Sequence, residues 1–281
     1  MPELPEVQTV VEGLIEQKLP GAVIAGTEVL NPRTVEGFTP AEFEQAAVGQ
    51  RIARVYRRGK FIVLQFEAGG GMLIHLRMTG RVHFIDPASK PEPHVRLMLF
   101  LTDGRVLVLH DTRRFARAKI VDDLAAALAH LGPEPLEPSF TVAVLRRAIS
   151  GTRRQLKPLL LDQTVVAGLG NIYVDEALWE AGLHPERRAD TLNEDDYKRL
   201  RRAIRAALRR GLKAKGTTLG RGLTNFYSVA GRRGDNDANL RVFRRDGLPC
   251  PRCRATILRS VVAQRGTHFC PECQPQVSPG G

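Results

Sequence analysis

Four cysteines lie in the last part of the chain, Cys250, Cys253, Cys270 and Cys273, spaced C-x2-C-x16-C-x2-C. Each close pair brings two sulfurs to one ion, and two pairs complete the tetrahedron of a structural zinc site. The intervening "ATILRSVVAQRGTHF" reads as a β-hairpin turning near Gln264-Arg265-Gly266, too small to hold a core without a metal. One Zn2+ per chain is therefore expected. Two disulfides are the alternative, and they fit poorly with a cytoplasmic setting. Arg265 stands at the hairpin tip, where packing does not require it and a phosphate is within reach.

At the other end the chain opens "MPELPEVQTV", with Pro2, Glu3, Pro5 and Glu6 in the first six residues. Two prolines make a poor start for a helix or a central strand. A frayed terminus tolerates almost any residue, so these four are either loose packing or a working end.

The charge between these ends is uneven. Residues 1–142 carry 16 Lys+Arg against 17 Asp+Glu, whereas residues 143–281 carry 26 against 13. All of the excess positive charge thus sits in the second half, which points to a polyanionic partner, most often nucleic acid. The ordinary apolar fraction, 43%, excludes a disordered chain. No apolar run approaches membrane-spanning length, and no basic stretch followed by an apolar one marks a secretory signal. No membrane and a cytoplasmic location are expected.

The elements that must position these residues fall into blocks. Val7, Val10, Val11, Leu14 and Ile15 trace a weak helical stripe. β-rich runs follow ("AVIAGTEVL", "RIARVYRRGKFIVLQF", "GMLIHLRM", "VRLMLFL", "RVLVLH"), separated by Gly-rich turns. They predict an antiparallel sandwich or barrel over 1–130. "LGPEPLEPSF" (131–140) reads as a linker. The pattern then turns helical over 141–239. Its clearest helix is "NEDDYKRLRRAIRAALRRGLKAKG", capped by Asn193, with Tyr197, Leu200, Ile204, Leu208 and Leu212 on one face. Residues 217–239 read as a flexible loop, and 240–281 as the cysteine module.

Six segments, in this order, resemble the bacterial formamidopyrimidine-DNA glycosylases, enzymes that excise 8-oxoguanine and related oxidised purines: "MPELPEV", "RRGKFIV", "HLRMTG", "DTRRFA", "LLLDQTVVAGLGNIYVDEALWEAGLHP" and "AQRGTHFCPECQ". The resemblance spans nearly the whole chain. It implies an α+β protein: an N-terminal β-sandwich with a flanking helix, a helical domain with a helix–two-turn–helix, and a terminal zinc-finger β-hairpin. Leu4 stands where the sister branch that favours oxidised pyrimidines usually has Gly, which tilts the expectation toward purines.

The resemblance also gives the unusual N-terminus a role. With Met1 removed, Pro2 is a secondary α-amine of pKa about 8, well below about 10.4 for lysine. It is implied as the nucleophile that attacks the sugar and forms an iminium, and the activity as glycosylase and AP lyase. Glu3 is implied as general acid and base. Glu6 positions the terminus or the sugar. Lys60 and Arg265 contact phosphates and assist catalysis. Met78, Arg113 and Phe115 match the trio that fills the gap left by the extruded nucleotide. Arg153, Lys157, Asn171 and Tyr173 are implied at the DNA backbone.

Two segments depart from the family pattern. "EPHV" replaces the frequent His-Asp-His, leaving His94 as the phosphate contact there. The loop 217–239 differs from the commonest form of the segment that covers the extruded base. A non-catalytic zinc protein that binds DNA would explain the charge and the cysteines but not Pro2-Glu3. Damaged duplex DNA is the expected partner, and a monomer the expected state.

Overall fold

The computed structural model describes residues 2–89, 92–220, 222 and 225–276. Three residues of the expected loop (Arg221, Leu223, Thr224) and the end of the cysteine module (277–281) lie outside the described residues, as does Met1. The chain divides into two compact units. One comprises 1–129 and 212–237, the other 130–211 and 238–281. The segment 212–237 therefore packs with the N-terminal unit, although its place in the sequence put it with the helical domain. The cysteine module packs with the helices instead of standing alone.

The first unit is built on a β-sandwich of two four-stranded antiparallel sheets. One has the order β1 (Ile24–Val29), β6 (Val95–Leu101), β7 (Val106–Asp111), β5 (Gly80–Ile85); the other β2 (Ile52–Arg58), β3 (Phe61–Phe66), β4 (Gly71–His75), β8 (Arg117–Val121). Period-two alternation decides what each strand buries. On β6 and β7, Leu97, Leu99, Leu101, Leu107 and Leu109 enter the main core, while Met98, Val106 and Val108 form a second cluster on the opposite face, joined by Val95 across a register shift between Val95 and Leu97. Burial on both faces is why "RVLVLH" reads as one continuous apolar run.

Helix α1 (Leu4–Glu16) lays Val7, Val10, Val11 and Leu14 into the main core. Ile15, expected on that face, is 46% exposed. The prolines do not prevent this helix. Pro5 lies in its first turn, where an amide N–H has no partner within the helix to lose. A second helix, α2 (Pro40–Ala47), and a one-turn α3 (Leu124–Leu128) complete the sandwich unit.

In the second unit, α4 (Val142–Ile149) leads to α5 (Leu156–Leu161) and α6 (Asn171–Ala181). The turn between α5 and α6 is stapled by Gln163. Its side-chain amide donates to the Leu161 and Leu169 carbonyls and accepts from Gly168 N–H, each at 2.9 Å. Helix α7 (Glu194–Lys213) starts as its sequence predicts. Asn193 Oδ1 accepts from Asp196 N–H at 2.9 Å, and Tyr197, Leu200, Ile204 and Leu208 are buried. Its arginines are not all solvated. Arg201 donates to the Phe140 carbonyl, and Arg205 to those of Pro135 and Glu137 at 2.8 and 2.9 Å. The stretch 131–140, expected as a linker, is thereby pinned to the helical unit, with Phe140 fully buried. The terminal hairpin is β9 (Leu258–Val262) and β10 (Arg265–Phe269). It turns at Ala263-Gln264, both at positive φ, so Arg265 is the first strand residue after the turn rather than its tip.

Candidate functional site

The N-terminal turn is a buried acidic corner. Pro2 is buried, and Glu3 and Glu6 are only 2% and 1% exposed. Glu3 N–H donates to Glu6 Oε2 at 2.8 Å, closing the start of α1. The other Glu6 oxygen, Oε1, accepts from Thr217 N–H at 2.7 Å. Glu6 thus ties the terminus to the base of the 217–239 loop. Lys60 is also buried, in the two-residue turn Gly59-Lys60 between β2 and β3. That turn is tethered to α1 through Arg57, whose guanidinium donates to the Gly59 carbonyl and to Gln8 Oε1. A lysine and two carboxylates buried in one unit are costly unless partnered, and such clusters concentrate at functional sites.

Two loops of the same unit bring the expected gap-filling residues together. Met78 lies between β4 and β5, and Arg113 and Phe115 lie between β7 and β8. Arg113 Nη1 is 3.1 Å from Met78 Sδ, and the guanidinium sits 4.9 Å from the centre of the Phe115 ring. Met78 and Phe115 are nonetheless 41% and 44% exposed. Large apolar side chains gathered on one arginine yet left in solvent are available to something outside the chain. The Met78 loop closes through Gly80, whose N–H donates to the Leu76 carbonyl at 2.9 Å. A Cβ there would stand 2.4 Å from that oxygen, so no other residue fits.

His75 anchors the same loop. Its Nδ1 accepts from Arg77 N–H at 2.9 Å. Burial, then the charges of Arg77 and Lys60, push its pKa down to about 3, so the ring is a neutral acceptor at physiological pH. His94 is exposed at positive φ and packs its ring 5.8 Å from that of His110. Its Nδ1 lies 3.1 Å from Arg96.

In the helical unit the expected contacts separate into surface and interior. Arg153 is at the surface, its side chain 85% exposed and 3.9 Å from Asp190. Arg265 is exposed on the hairpin, and Asn171 opens α6. Two of the expected residues lie inside. Lys157 has no exposed surface: its Nζ lies 2.6 Å from Asp175 Oδ1 and donates to the Gly266 carbonyl at 2.9 Å. Tyr173 is 1% exposed and packs against α7 at Gly211. Through the Gly266 carbonyl, Lys157 braces the strand that carries Arg265. Asn171 Nδ2 donates to the same Gly266 carbonyl at 2.9 Å, and Asp175 Oδ2 accepts from His268 N–H at 3.0 Å. Lys157, Asn171 and Asp175 together clamp the strand that carries Arg265.

The four cysteine sulfurs lie within 4.8 Å of one another. Cys250 and Cys273 sulfurs are 3.8 Å apart, and those of Cys253 and Cys270 3.4 Å. A tetrahedral ion with bonds of about 2.3 Å to sulfur requires edges of about 3.8 Å, so the set fits one zinc. Two residues outside the expected set support this module. Trp179 Nε1 donates to Cys250 Sγ at 3.4 Å, and Glu176 accepts from the N–H groups of Arg241, Val242 and Phe243. Sequence reasoning missed Asp175, Glu176 and Trp179. Their only signal was polar or aromatic residues on a helix that is otherwise buried all round.

Comparison with known proteins agrees with this arrangement. Residues 1–118 match the formamidopyrimidine-DNA glycosylase N-terminal domain, 131–221 the formamidopyrimidine-DNA glycosylase H2TH domain, and 247–276 the zinc finger found in FPG and IleRS. The chain is 47% identical to the formamidopyrimidine-DNA glycosylase of a Roseiflexus species over 98% of its length and 100% of that protein's. It is 46% identical to that of Protochlamydia amoebophila, covering 98% and 99%. The crystal structure of the MutM (Fpg) protein of Thermus thermophilus superposes with a TM-score of 0.86 at 39% identity, covering 99% of this chain and 100% of that one. A mutant Lactococcus lactis FPG in complex with a Fapy-dG containing DNA superposes with a TM-score of 0.89 at 33% identity, covering 98% and 100%.

A β-sandwich unit, a helix–two-turn–helix and a four-cysteine finger in this order define a DNA glycosylase of base-excision repair. The chain belongs to the formamidopyrimidine-DNA glycosylase family. Among the described residues, no helix is long and apolar enough to cross a membrane.

Proposed function

We propose that this enzyme removes oxidised purines, 8-oxoguanine and formamidopyrimidines, from duplex DNA through its N-terminal proline and then cleaves the strand at the resulting site. The Pro2 nitrogen attacks C1′ of the extruded nucleotide. The C1′–N bond to the base breaks, and the base leaves with the electron pair. The Pro2 nitrogen sheds its N–H proton and the departing base takes up a proton; Glu3 delivers a proton to O4′ as the sugar ring opens, and the freed nitrogen lone pair forms the iminium. The iminium acidifies the C2′ hydrogen, so loss of that proton expels the 3′-phosphate. A second elimination expels the 5′-phosphate. Lys60 and Arg265 neutralise phosphates at the reacting nucleotide. His94, Arg153 and Asn171 hold the backbone on either side. The four cysteines would hold one zinc that keeps the Arg265 hairpin folded.

The observation that carries this proposal is the exposed Met78–Arg113–Phe115 cluster. C1′ of a stacked nucleotide is out of reach of a buried corner, so the nucleotide must leave the duplex and something must replace it. A wedge (Phe115), a space-filler (Met78) and a hydrogen-bond donor for the orphaned cytosine (Arg113) suit that task. We take the enzyme to act as a monomer on the DNA of the cytoplasm.

Borohydride reduction on an 8-oxoguanine:C duplex should trap the protein covalently through Pro2. Trapping through Lys60 alone, or equal trapping by a form that keeps Met1, would refute the nucleophile. Parallel duplexes carrying oxidised pyrimidines should react more slowly. Sedimentation showing a stable dimer would refute the monomer.

A further inference from the structure

We propose that Asp111 is the positioning residue for duplex probing: its buried carboxylate holds both probe loops in one fixed arrangement. This rests on the proposed role of Met78, Arg113 and Phe115. Asp111 ends β7 with no exposed surface. Its Oδ1 accepts from the Thr79 hydroxyl, next to Met78 on the first loop, and from Arg113 N–H at 3.1 Å on the second. Its Oδ2 accepts from Phe115 N–H at 2.6 Å and Ala116 N–H at 2.7 Å. One carboxylate thus takes four donors from the segments that carry all three probe side chains.

The anchor is itself immobilised. Asp111 N–H donates to the His94 carbonyl at 2.9 Å, and its own carbonyl accepts from Arg96 Nε at 2.8 Å. The arrangement also explains one of two backbone outliers. Arg77 and Arg114, one in each loop, sit at φ of 54° and 62°. A non-glycine residue there costs of order 1–2 kcal/mol and persists only where its surroundings over-determine it. The Asp111 bonds to Arg113, Phe115 and Ala116 straddle Arg114 and hold it there. Residues placed before the duplex arrives do not have to be ordered on binding, which favours insertion of the wedge.

Asparagine has the same volume but turns a donor toward at least one of these N–H groups. In Asp111→Asn, kcat/KM on an 8-oxoguanine:C duplex should fall more than tenfold. Cleavage at a pre-formed abasic site, where no base is extruded, should fall at least tenfold less than that. Thr79→Val removes one donor without introducing a charge, and it should shift the same ratio by a smaller factor. It decides the matter should Asp111→Asn fail to fold. The comparison protein is the Arg113→Ala, Phe115→Ala double variant, which should show the same split between substrates. If the double variant splits the substrates while Asp111→Asn and Thr79→Val track the wild type, the positioning role is wrong and the probe loops stand. If the double variant shows no split, both fall together. Equal losses on the two substrates in Asp111→Asn would make Asp111 an ordinary structural residue and overturn the proposal.

Discussion

Lys157 Nζ lies 2.6 Å from Asp175 Oδ1, and neither side chain has any exposed surface. An ion pair this deep is fragile to halving, because removal of one partner leaves the other charge buried alone. Such losses typically cost about 3–5 kcal/mol, whereas replacing both partners by apolar groups costs far less. Asp175→Asn should therefore destabilise the helical unit by about that amount, and adding Lys157→Met should recover part of it. Urea denaturation followed by fluorescence reads this, since the only tryptophan, Trp179, reports on the same unit. A loss below about 1 kcal/mol would mean the pair is no brace for the Arg265 strand.

Trp179 touches the metal module directly, through its indole N–H on Cys250 Sγ and through Arg252, whose guanidinium lies 4.3 Å from the ring centre. Removing the metal with a chelator should therefore shift Trp179 emission and weaken DNA binding, while the β-sandwich unit keeps its circular dichroism. Cys253→Ala should do the same without chelator. An emission spectrum indifferent to chelation would remove the four-thiolate zinc site from consideration.

Acidification should destabilise the protein before its carboxylates titrate. The pKa of His75 is lowered to about 3 by burial and by Arg77 and Lys60, against about 6.5 in an unfolded chain. The folded state refuses a proton that the unfolded state accepts. This contribution to stability is complete above pH of about 6.5 and falls as pH drops toward 3, by up to about 1.4 kcal/mol per unit. His83, His110 and His184, lowered chiefly by burial, act in the same direction. Stability measured between pH 7 and 5 should fall, and His75→Asn should flatten the slope. An unchanged slope in that variant would mean another histidine dominates.

Gly211 lies inside α7, where helix propensity alone favours alanine by about 1 kcal/mol. A methyl there would stand 2.3 Å from the Tyr173 hydroxyl oxygen and 2.6 Å from its ring. Tyr173 is 1% exposed and has nowhere to retreat. Overpacking should win, and Gly211→Ala should lower stability by about 1–3 kcal/mol. A more stable variant would show that Tyr173 yields.

Much of the site was legible because its signals are local. Cysteines with two residues between them, an Asn before an acidic turn and alternation along β6 and β7 each report on geometry that closes within a few residues. "MPELPEV", "HLRMTG" and "DTRRFA" likewise gather residues proposed to act together into adjacent positions. Met78, Arg113 and Phe115 were named from such segments, and in the folded chain Arg113 meets both of the others.

What the tertiary structure alone decided is which distant group meets which. Glu6 finds Thr217 across 211 positions, and Lys157 finds Gly266 across 109. Lys157 and Arg153 look alike in sequence, two cations on the approach to one helix. The first is buried because Asp175 and a hairpin carbonyl close over it, and the second is left in solvent. The stretch 131–140 reads as a linker from its prolines, yet arginines on α7, more than sixty positions away, bind its carbonyls. Asp111 stood in a recognised segment, but nothing in "DTRRFA" tells that its carboxylate also reaches Thr79 on another loop. Periodicity and spacing act through the backbone of one segment. A buried polar group takes whichever partner the fold delivers, and that is settled only when the segments pack.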